Sequence, residues 1–365
     1  MTELTDANYA RYDRSAIAPF SAGSSVMQVG LDDGYAHTKV ALPDGRLVVI
    51  PSRGRSGASG VTWLNDARQQ IFEYDTQGAV FSVGSVDGES TQFAGYSHSA
   101  LNRVIVQHAL QQAGLGGHSL HVVSGLPVSA FYRDDGQRRQ QAIGDKCASW
   151  QVRVDPVGSQ GVDASSALPA SVAFHAVIPE ALAAWYDHVI VQDDDGVTLD
   201  ADRLSAPIAM VDIGGRTTDY VVVQDQGVVH GSSGSLNKGL LDVTAEVATG
   251  LQARFDLDAL GEQRLTQAVT SHTLRLHGVD HDVTDLVVGA RRALVEQLFM
   301  ATRRHLGLGA ELDRVVFVGG GSAALATDIA HWFPHQVIAE HAAFANARGM
   351  LKYLQFVCDE PVTPS

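Results

Sequence analysis

The architecture is indicated by two similar segments, Val29-Gly30-Leu31-Asp32-Asp33-Gly34 and Val211-Asp212-Ile213-Gly214-Gly215. In each, an apolar strand runs into an aspartate and a glycine-bearing turn, and a second apolar strand follows, at residues 38–42 and 219–223. Glycine lets the backbone come close to an anion, so such a turn presents backbone N–H groups to it. An aspartate at the strand end can hold a divalent cation, usually through water. The repeat predicts a duplicated α/β architecture with a polyphosphate and Mg²⁺ site between the halves.

A third glycine signal follows later in the chain. Val315-Val316-Phe317-Val318 reads as a buried strand and runs into Gly319-Gly320-Gly321, with a helix expected from near Ser322. Bare backbone in such a triplet lets a flat ring or a sugar lie against it. One glycine loop after a strand is usually only a turn, whereas three in this order form a much more specific pattern.

Composition limits the class of protein. The chain has 365 residues, enough for two or three domains, and with 45% hydrophobic and 18% charged residues it can bury a large core. No apolar run approaches the roughly 20 residues of a membrane span, and no secretory signal is evident. Cys147 and Cys358 give no disulfide framework or metal-ligand spacing. These features predict a cytoplasmic protein without a membrane partner.

The net charge is −15, from 26 basic and 41 acidic residues. An acidic balance argues against a large nucleic-acid footprint on the body of the protein. It leaves open contact with DNA through an adaptor protein.

The domain organisation follows from the order of these patterns. Residues 1–23 read as a polar extension, and residues 24–180 plus 342–365 as a first domain that carries a small β insertion at about 51–98. Residues 181–341 read as a second domain. Helices are expected around residues 101–109, after Pro179-Glu180 and near residues 345–356. Most of the chain beyond Gly239 is also expected to be helical, and it includes an apolar stripe of Ala290, Ala293, Leu294, Leu298 and Ala301.

The order of the motifs resembles the actin-like ATPase superfamily. Its first and second phosphate loops are similar to residues 32–39 and 212–219, its adenosine loop to residues 319–321, and its connecting segments to Pro179-Glu180 and residues 345–350. Within the superfamily, the chain is most similar to the ParM/StbA plasmid-segregation group. The stretches that carry this likeness are Leu31-Asp32-Asp33-Gly34, Val123-Ser124-Gly125-Leu126-Pro127, Val177-Ile178-Pro179-Glu180 and Val318-Gly319-Gly320-Gly321.

The resemblance, which covers roughly residues 26–357, implies two RNase H-like α/β domains that flank a nucleotide cleft. The implied cofactors are ATP or GTP and Mg²⁺. The implied metal-organising residues are Asp32 and Asp212, and the implied catalytic residues are Asp212 and Glu180, which would orient the attacking water. The implied nucleotide-binding residues are Asp33, Gly34, Lys39, Gly214, Gly215, Thr217, Gly319, Gly320 and Gly321.

Four of these residues also have a purely structural interpretation. For Asp32 and Asp212, a structural turn would be the better interpretation of either motif alone, and the whole motif set in order favours the nucleotide and metal role. Glutamate is favoured at a helix start by the helix dipole, which would explain Glu180 without catalysis. Lys39 is compatible with a solvent-exposed strand lysine.

Three positions depart from the pattern of the family, two in the first loop and one in the second. Tyr35 and Ala36 stand where relatives usually have small hydroxyl residues or glycine, and the tyrosine would either crowd the terminal phosphate or point away. Arg216 replaces the threonine that is common in the second loop, and it would either reach a phosphate or project into solvent.

The resemblance implies a nucleotide-dependent, filament-forming ATPase that acts in plasmid DNA segregation. Its expected partners are further copies of itself, assembled head to tail, and a DNA-binding adaptor. A non-polymerising actin-like ATPase of another plasmid maintenance system is the alternative. A small-molecule kinase on the same fold is another, but the sequence offers no convincing aspartate base for it.

Overall fold

The computed structural model describes residues 26–61, 71–157, 168–193 and 196–358. The expected extension at residues 1–23 lies outside them. The strands in chain order are β1 (Met27–Asp33), β2 (His37–Ala41), β3 (Leu47–Pro51), β4 (Gly54–Ser56), β5 (Ile71–Thr76), β6 (Ala79–Gly84), β7 (Ser119–Leu126), β8 (Asp155–Val157), β9 (Ser171–Pro179), β10 (Ile190–Asp193), β11 (Gly196–Leu199), β12 (Ile208–Ile213), β13 (Thr218–Gln224), β14 (Gly227–Val228), β15 (Gly234–Leu236), β16 (Thr273–Leu276), β17 (Val279–Asp282), β18 (Arg314–Val318) and β19 (Gln336–Ile338).

The helices are α1 (Ala100–Gln112), α2 (Val128–Phe131), α3 (Gln140–Gln151), α4 (Leu182–Val189), α5 (Ala201–Ser205), α6 (Leu240–Phe255), α7 (Glu262–Ser271), α8 (Thr284–Leu306), α9 (Gly319–Ala324), α10 (Ala326–Ile329) and α11 (Ala345–Phe356).

The chain builds the same sheet twice. The first has the order β3-β2-β1-β7-β9 and the second the order β14-β13-β12-β18-β19, with β15 added beside β13. In both, a three-stranded antiparallel meander continues into two strands parallel to the central one. The structure thus has the duplicated α/β plan expected from the repeated aspartate hairpins.

Two hairpins place the turns at equivalent edges of the two sheets. In the first, Asp32 pairs with Lys39 across β1 and β2, and in the second, Asp212 pairs with Asp219 across β12 and β13. Cross-strand partners project from the same face of a sheet, so each aspartate lies beside the side chain opposite it. A lysine in one hairpin therefore corresponds to a second aspartate in the other.

Helix α11 joins distant parts of the chain. It packs along β1 at Gly30, where a methyl group would overlap the carbonyl oxygen of Ala347, and against α4 at Gly349, where a methyl group would overlap the carbonyl oxygen of Ala183. The two glycines are thus required by close approach of backbones. The closing helix expected near 345–356 has these bounds in the structure.

The β insertion expected at about 51–98 forms around the predicted hairpin of β5 and β6. Its sheet has the order β4-β6-β5-β8, so it also takes a strand, β8, from residues beyond the expected range. Residues 62–70 of the expected range lie outside the described residues.

Three sequence expectations differ from the structure. The region beyond Gly239 is not only helical, because β16 and β17 form a hairpin between α7 and α8. Ala293, expected in the apolar stripe of α8, is exposed, whereas the rest of that stripe is buried. The glycine triplet is not a loop ahead of a helix near Ser322 but the first turn of α9.

Candidate functional site

The site lies where the two aspartate turns meet. A methyl group on Gly215 would lie 2.8 Å from the Cβ of Ala36 and 3.0 Å from its backbone nitrogen. The first turn is braced from behind, because the Ser52 hydroxyl donates to the Gly34 carbonyl at 2.6 Å. The second is braced by α6, whose Leu240 and Leu241 amides donate to the carbonyls of Gly214 and Gly215. Both glycine turns therefore line one cleft between the two halves.

In the first turn, the negative charge of the Asp32 carboxylate is balanced by Lys39. Lys39 Nζ donates to Asp32 Oδ2 at 2.8 Å, and the side chains are 13% and 6% exposed. Burial opposes a charge on Lys39, but Asp32, Asp212 and Glu180 outweigh it and hold the lysine pKa above its ordinary value. Lys39 is therefore not a solvent-exposed strand lysine but the counter-ion of the cleft.

The second turn carries two carboxylates with no lysine between them. Asp212 is 5% exposed, and burial, together with the charges of Asp219 and Asp32, raises its pKa to about 7. Burial also raises the pKa of Asp219, although Ser235, Thr217 and the Val128 amide donate hydrogen bonds that oppose the rise. The Val128 bond spans 2.7 Å and ties the second hairpin to the strand–helix turn of the first half. The second turn thus holds excess negative charge that a cation would relieve.

Glu180 lies between these carboxylates. Its Cγ would be 2.7 Å from a methyl group on Gly125, which places it over the end of β7. Burial, followed by the charges of Asp219, Asp32 and Asp212, raises its pKa well above the ordinary value. Within the described residues, no protein group donates a hydrogen bond to the Glu180 carboxylate. The structure therefore brings the three predicted acidic residues, Asp32, Asp212 and Glu180, around one space.

Asn346, at the start of α11, connects this cluster and was not singled out from the sequence. Its Nδ2 donates to Asp212 Oδ2 at 2.6 Å, and its Oδ1 accepts from the amide of Ala181 at 3.1 Å. Ala181 has a φ of 61°, a left-handed conformation that costs energy for a residue with a Cβ. Asn346 therefore holds the strained start of α4, directly after Glu180, against Asp212.

The Asp33 carboxylate accepts hydrogen bonds from buried side chains of the first half. Lys146 Nζ donates to its Oδ1 at 2.6 Å and Asn102 Nδ2 to its Oδ2 at 2.9 Å. Lys146 is 1% exposed and also donates to the Gly125 carbonyl, and Trp150 Nε1 donates to Asn102 Oδ1 at 3.0 Å. Asp33 thus anchors the first turn to α1 and α3, so any contribution it makes to nucleotide binding acts through the position of that turn.

The predicted glycines have different environments. Gly34 and Gly214 occupy equivalent tight places, since a methyl group on either would lie 3.0 Å from a carbonyl oxygen of its own turn. Gly319, with a φ of 85°, packs against Asp212, and Gly321 packs against Ile213. Gly320 has open space beyond its backbone. Of the triplet, Gly320 is therefore the position with room for a ligand.

Two of the three residues that depart from the family pattern, Tyr35 and Arg216, contact each other. The Arg216 guanidinium lies 5.2 Å from the ring centroid of Tyr35, across the cleft. The halves contact each other again through Glu262, where Arg53 Nε lies 3.1 Å from Glu262 Oε1 and the Gly88 amide donates to Glu262 Oε2 at 3.1 Å. The two halves are thus joined at the turns and again at Glu262.

The chemistry of the donors fits a magnesium nucleotide. Within the described residues no three acidic, histidine or cysteine side chains are grouped as a complete metal site. Mg²⁺ usually binds one or two protein carboxylates and completes its shell with water and phosphate oxygens, which suits Asp32 and Asp212 on facing turns.

No helix in the described part of the chain is long and apolar enough to cross a membrane.

Comparison with known families agrees with the duplicated fold. The sequence model described as plasmid segregation protein ParM, N-terminal, matches residues 27–189, and the model described as archaeal actin homologue MreB-like, C-terminal, matches residues 210–331. No curated protein sequence matches this chain significantly.

Solved structures with the same architecture include three from archaeal and bacterial sources. The archaeal actin homologue Ta0583 in complex with ADP is 20% identical over 90% of this chain and 99% of its own, with a TM-score of 0.67. A non-polymerisable quadruple mutant of pCBH ParM is 18% identical over 91% and 99%, with a TM-score of 0.69. A 15-stranded ParM filament from Clostridium botulinum is 17% identical over 91% and 100%, with a TM-score of 0.69.

At these identities, the solved structures establish the fold, and the two family models cover its two halves in order. The chain has the actin-like fold, two α/β halves around a cleft, and it is similar in its first half to the ParM N-terminal family and in its second half to the archaeal MreB-like actin homologues.

Proposed function

We propose that this protein is a nucleotide-dependent, filament-forming ATPase that acts in plasmid DNA segregation in the cytoplasm, with ATP or GTP and Mg²⁺ as cofactors. One observation carries the proposal. Asp32 and Asp212, one from each hairpin, converge with Glu180 on the space between two glycine turns.

The residues that would hold Mg²⁺ are Asp32 and Asp212. When bound, the ion neutralises phosphate charge, which is much of what phosphoryl transfer requires of a protein. The backbone N–H groups of the turns at Gly34, Gly214 and Gly215 would bind phosphate oxygens, because glycine leaves them accessible. Lys39 would exchange part of its contact with Asp32 for a phosphate.

Glu180 would orient and deprotonate the attacking water. Its carboxylate has no protein donor within the described residues, so its oxygens are free to accept from water. Its raised pKa brings it towards the range in which a general base works efficiently at neutral pH. The contact of Asn346 with the amide of Ala181 supports the position of Glu180 from the adjacent residue.

Filament formation is proposed from the relatives. The Clostridium botulinum ParM with this fold was solved as a filament. Repeated head-to-tail contacts that do not close into a ring generate open filaments, and a DNA-binding adaptor would connect them to plasmid DNA. The net charge of −15 favours such an adaptor over direct contact with a large stretch of DNA.

The test of the site uses Glu180→Gln with Glu296→Gln as the matched control, because Glu296 is an exposed glutamate on α8. Nucleotide binding is measured by calorimetry with Mg²⁺, and hydrolysis by phosphate release. We expect Glu180→Gln to lower turnover by about 10²- to 10⁴-fold and to leave affinity within about twofold. Unchanged phosphate release would reduce Glu180 to a residue at the end of a strand.

The test of assembly uses light scattering and electron microscopy with and without ATP and Mg²⁺. We expect filaments with nucleotide, and longer-lived filaments with Glu180→Gln, because hydrolysis would no longer weaken the contacts. Nucleotide hydrolysis without any assembly would select the alternative, a non-polymerising actin-like ATPase of another plasmid maintenance system.

A further inference from the structure

Tyr35 and Arg216 come from the two opposite turns and meet between them. The guanidinium carbon of Arg216 lies 5.2 Å from the centroid of the Tyr35 ring, a distance typical of a cation–π contact. Each replaces a small residue at the centre of a turn that would face phosphate. The cleft therefore contains the positive charge of Arg216 in addition to that of the counter-ion Lys39.

Arg216 is not otherwise satisfied. Its Nη1 is buried and donates no hydrogen bond within the described residues. Of the carboxylates whose charges act on Tyr35, Asp33 accepts from Lys146 and Asn102, and Asp219 accepts from Val128 and Ser235, whereas Glu180 has no protein donor within the described residues. A buried donor without an acceptor is costly, so this guanidinium is prepared to bind an oxygen-rich anion.

Tyr35 is held in place as a platform. Its ring lies 5.2 Å from that of Tyr96, which is 1% exposed and packs edge-on against Phe93. Its carbonyl accepts a hydrogen bond of 2.7 Å from the Thr91 hydroxyl. A ring fixed by these contacts restricts where the guanidinium can lie.

We propose that Arg216 binds the terminal phosphate of a bound nucleoside triphosphate, with Tyr35 positioning its guanidinium, and that the pair makes this protein distinguish triphosphate from diphosphate. The proposal rests on the nucleotide function proposed above. It assigns the two unusual residues a shared role in place of crowding or exposure to solvent.

The chemistry of the group favours this anion. A guanidinium presents a planar fork of donors that matches phosphate oxygens, and it stays charged at any pH of interest. The terminal phosphate carries charge that a diphosphate lacks, so a guanidinium directed at it adds affinity for the triphosphate alone. Arginines supplied within the same chain serve the transferred phosphate in other nucleotide hydrolases.

The experiment measures the affinity of the full chain for a non-hydrolysable ATP analogue and for ADP, both with Mg²⁺, by calorimetry. The variants are Arg216→Gln and Arg216→Lys, and Arg292→Gln on α8, whose arginine side chain is 81% exposed, is the matched control. We expect Arg216→Gln to weaken binding of the triphosphate analogue by about 10- to 100-fold and of ADP by less than about threefold. Arg216→Lys should fall between, because it keeps the charge and loses the fork.

Equal losses for both nucleotides, or none for either, would overturn this assignment while the nucleotide function stands. If the parent binds neither nucleotide, both proposals fail. Thermal unfolding of each variant without nucleotide shows whether Arg216→Gln is folded. If Arg216→Gln does not fold, Arg216→Lys supplies the comparison between the triphosphate analogue and ADP.

A separate pair of variants tests whether the Tyr35 ring positions Arg216. Tyr35→Phe keeps the ring, so the affinity for the triphosphate analogue should stay within about twofold. Tyr35→Leu keeps apolar bulk without the ring, and it should weaken that affinity by about 2- to 30-fold. Equal behaviour of the Phe and Leu variants would show that the ring does not position the arginine.

Discussion

Asp212→Asn should stabilise the nucleotide-free, Mg²⁺-free protein at pH 8 while it abolishes most hydrolysis. Asp212 is 5% exposed and lies beside Asp219 and Asp32, and burial and these charges raise its pKa to about 7 from an ordinary value of 3.8. Asparagine keeps the shape and can still accept from Asn346, but it carries no charge. The residue that we propose organises the metal is therefore a source of instability when the metal is absent.

The magnitude follows from linkage between protonation and folding. Between pH 4 and 7 the folded protein binds a proton at Asp212 that the unfolded chain has released. Stability therefore falls as pH rises through this window, by about 1.4 kcal/mol per pH unit and by about 4 kcal/mol in all. Above pH 7 the contribution of Asp212 to the slope vanishes.

The assay is urea unfolding of the parent and of Asp212→Asn at pH 5, 6, 7 and 8, with a chelator present. The difference in unfolding free energy between the two proteins should change in favour of the variant by a few kcal/mol from pH 5 to pH 8. Carboxylates far from the cleft are common to both proteins, so the difference reports Asp212 together with its charge coupling to Glu180 and Lys39. Parallel pH profiles would refute the claim that this carboxylate is buried against like charges.

Three further substitutions, with Gly289→Ala as a control for the first, test the packing around the site by chemical unfolding. Gly349→Ala should cost at least about 1–3 kcal/mol, because its methyl group would overlap the backbone of α4, whereas Gly289→Ala, with open space on α8, should gain up to about 1 kcal/mol. Lys146→Met should cost about 3–5 kcal/mol, because it leaves Asp33 charged and buried without its counter-ion. Asn346→Ala should cost about 1–3 kcal/mol at pH 8 and less at pH 5, since its amide donates to the charged carboxylate.

Each of these has an outcome that contradicts it. Equal effects of the two glycine substitutions would mean that α11 does not approach α4 closely. A neutral Lys146→Met would mean that Asp33 is hydrated in solution. A cost of Asn346→Ala that is independent of pH would place its contribution at the start of α4 alone.

Much of the architecture could be predicted from the sequence because the hairpins are local. An apolar strand, an aspartate, a glycine turn and a second strand lie within about 16 residues, and their pairing needs no distant partner. The closing helix near residues 345–356 is likewise predicted from the sequence. The triplet at 319–321 reads as a loop because glycine disfavours helices, but all three glycines lie within the first turn of α9, where few intrahelical bonds are needed.

Parts of the site could not be predicted, because they depend on contacts between distant residues. Asn346 lies 134 positions from Asp212, and Lys146 lies 113 positions from Asp33. The sequence contains one local signal for Asn346. It is a polar residue on the same helix face as the buried residues Met350 and Leu354. The roles of Tyr35 and Arg216 were left open because no pattern in the chain shows that opposite turns touch.

The position of α11 has a consequence for how the protein is made. A ribosome adds about 5–20 residues per second, so the helix that covers Gly30 is synthesised about 15–60 s after β1. Until then the face of β1 lacks its partner, whereas every strand of the second sheet is already complete by Ile338. The second sheet is therefore the first to be complete, and the cleft can form only after α11 has been synthesised.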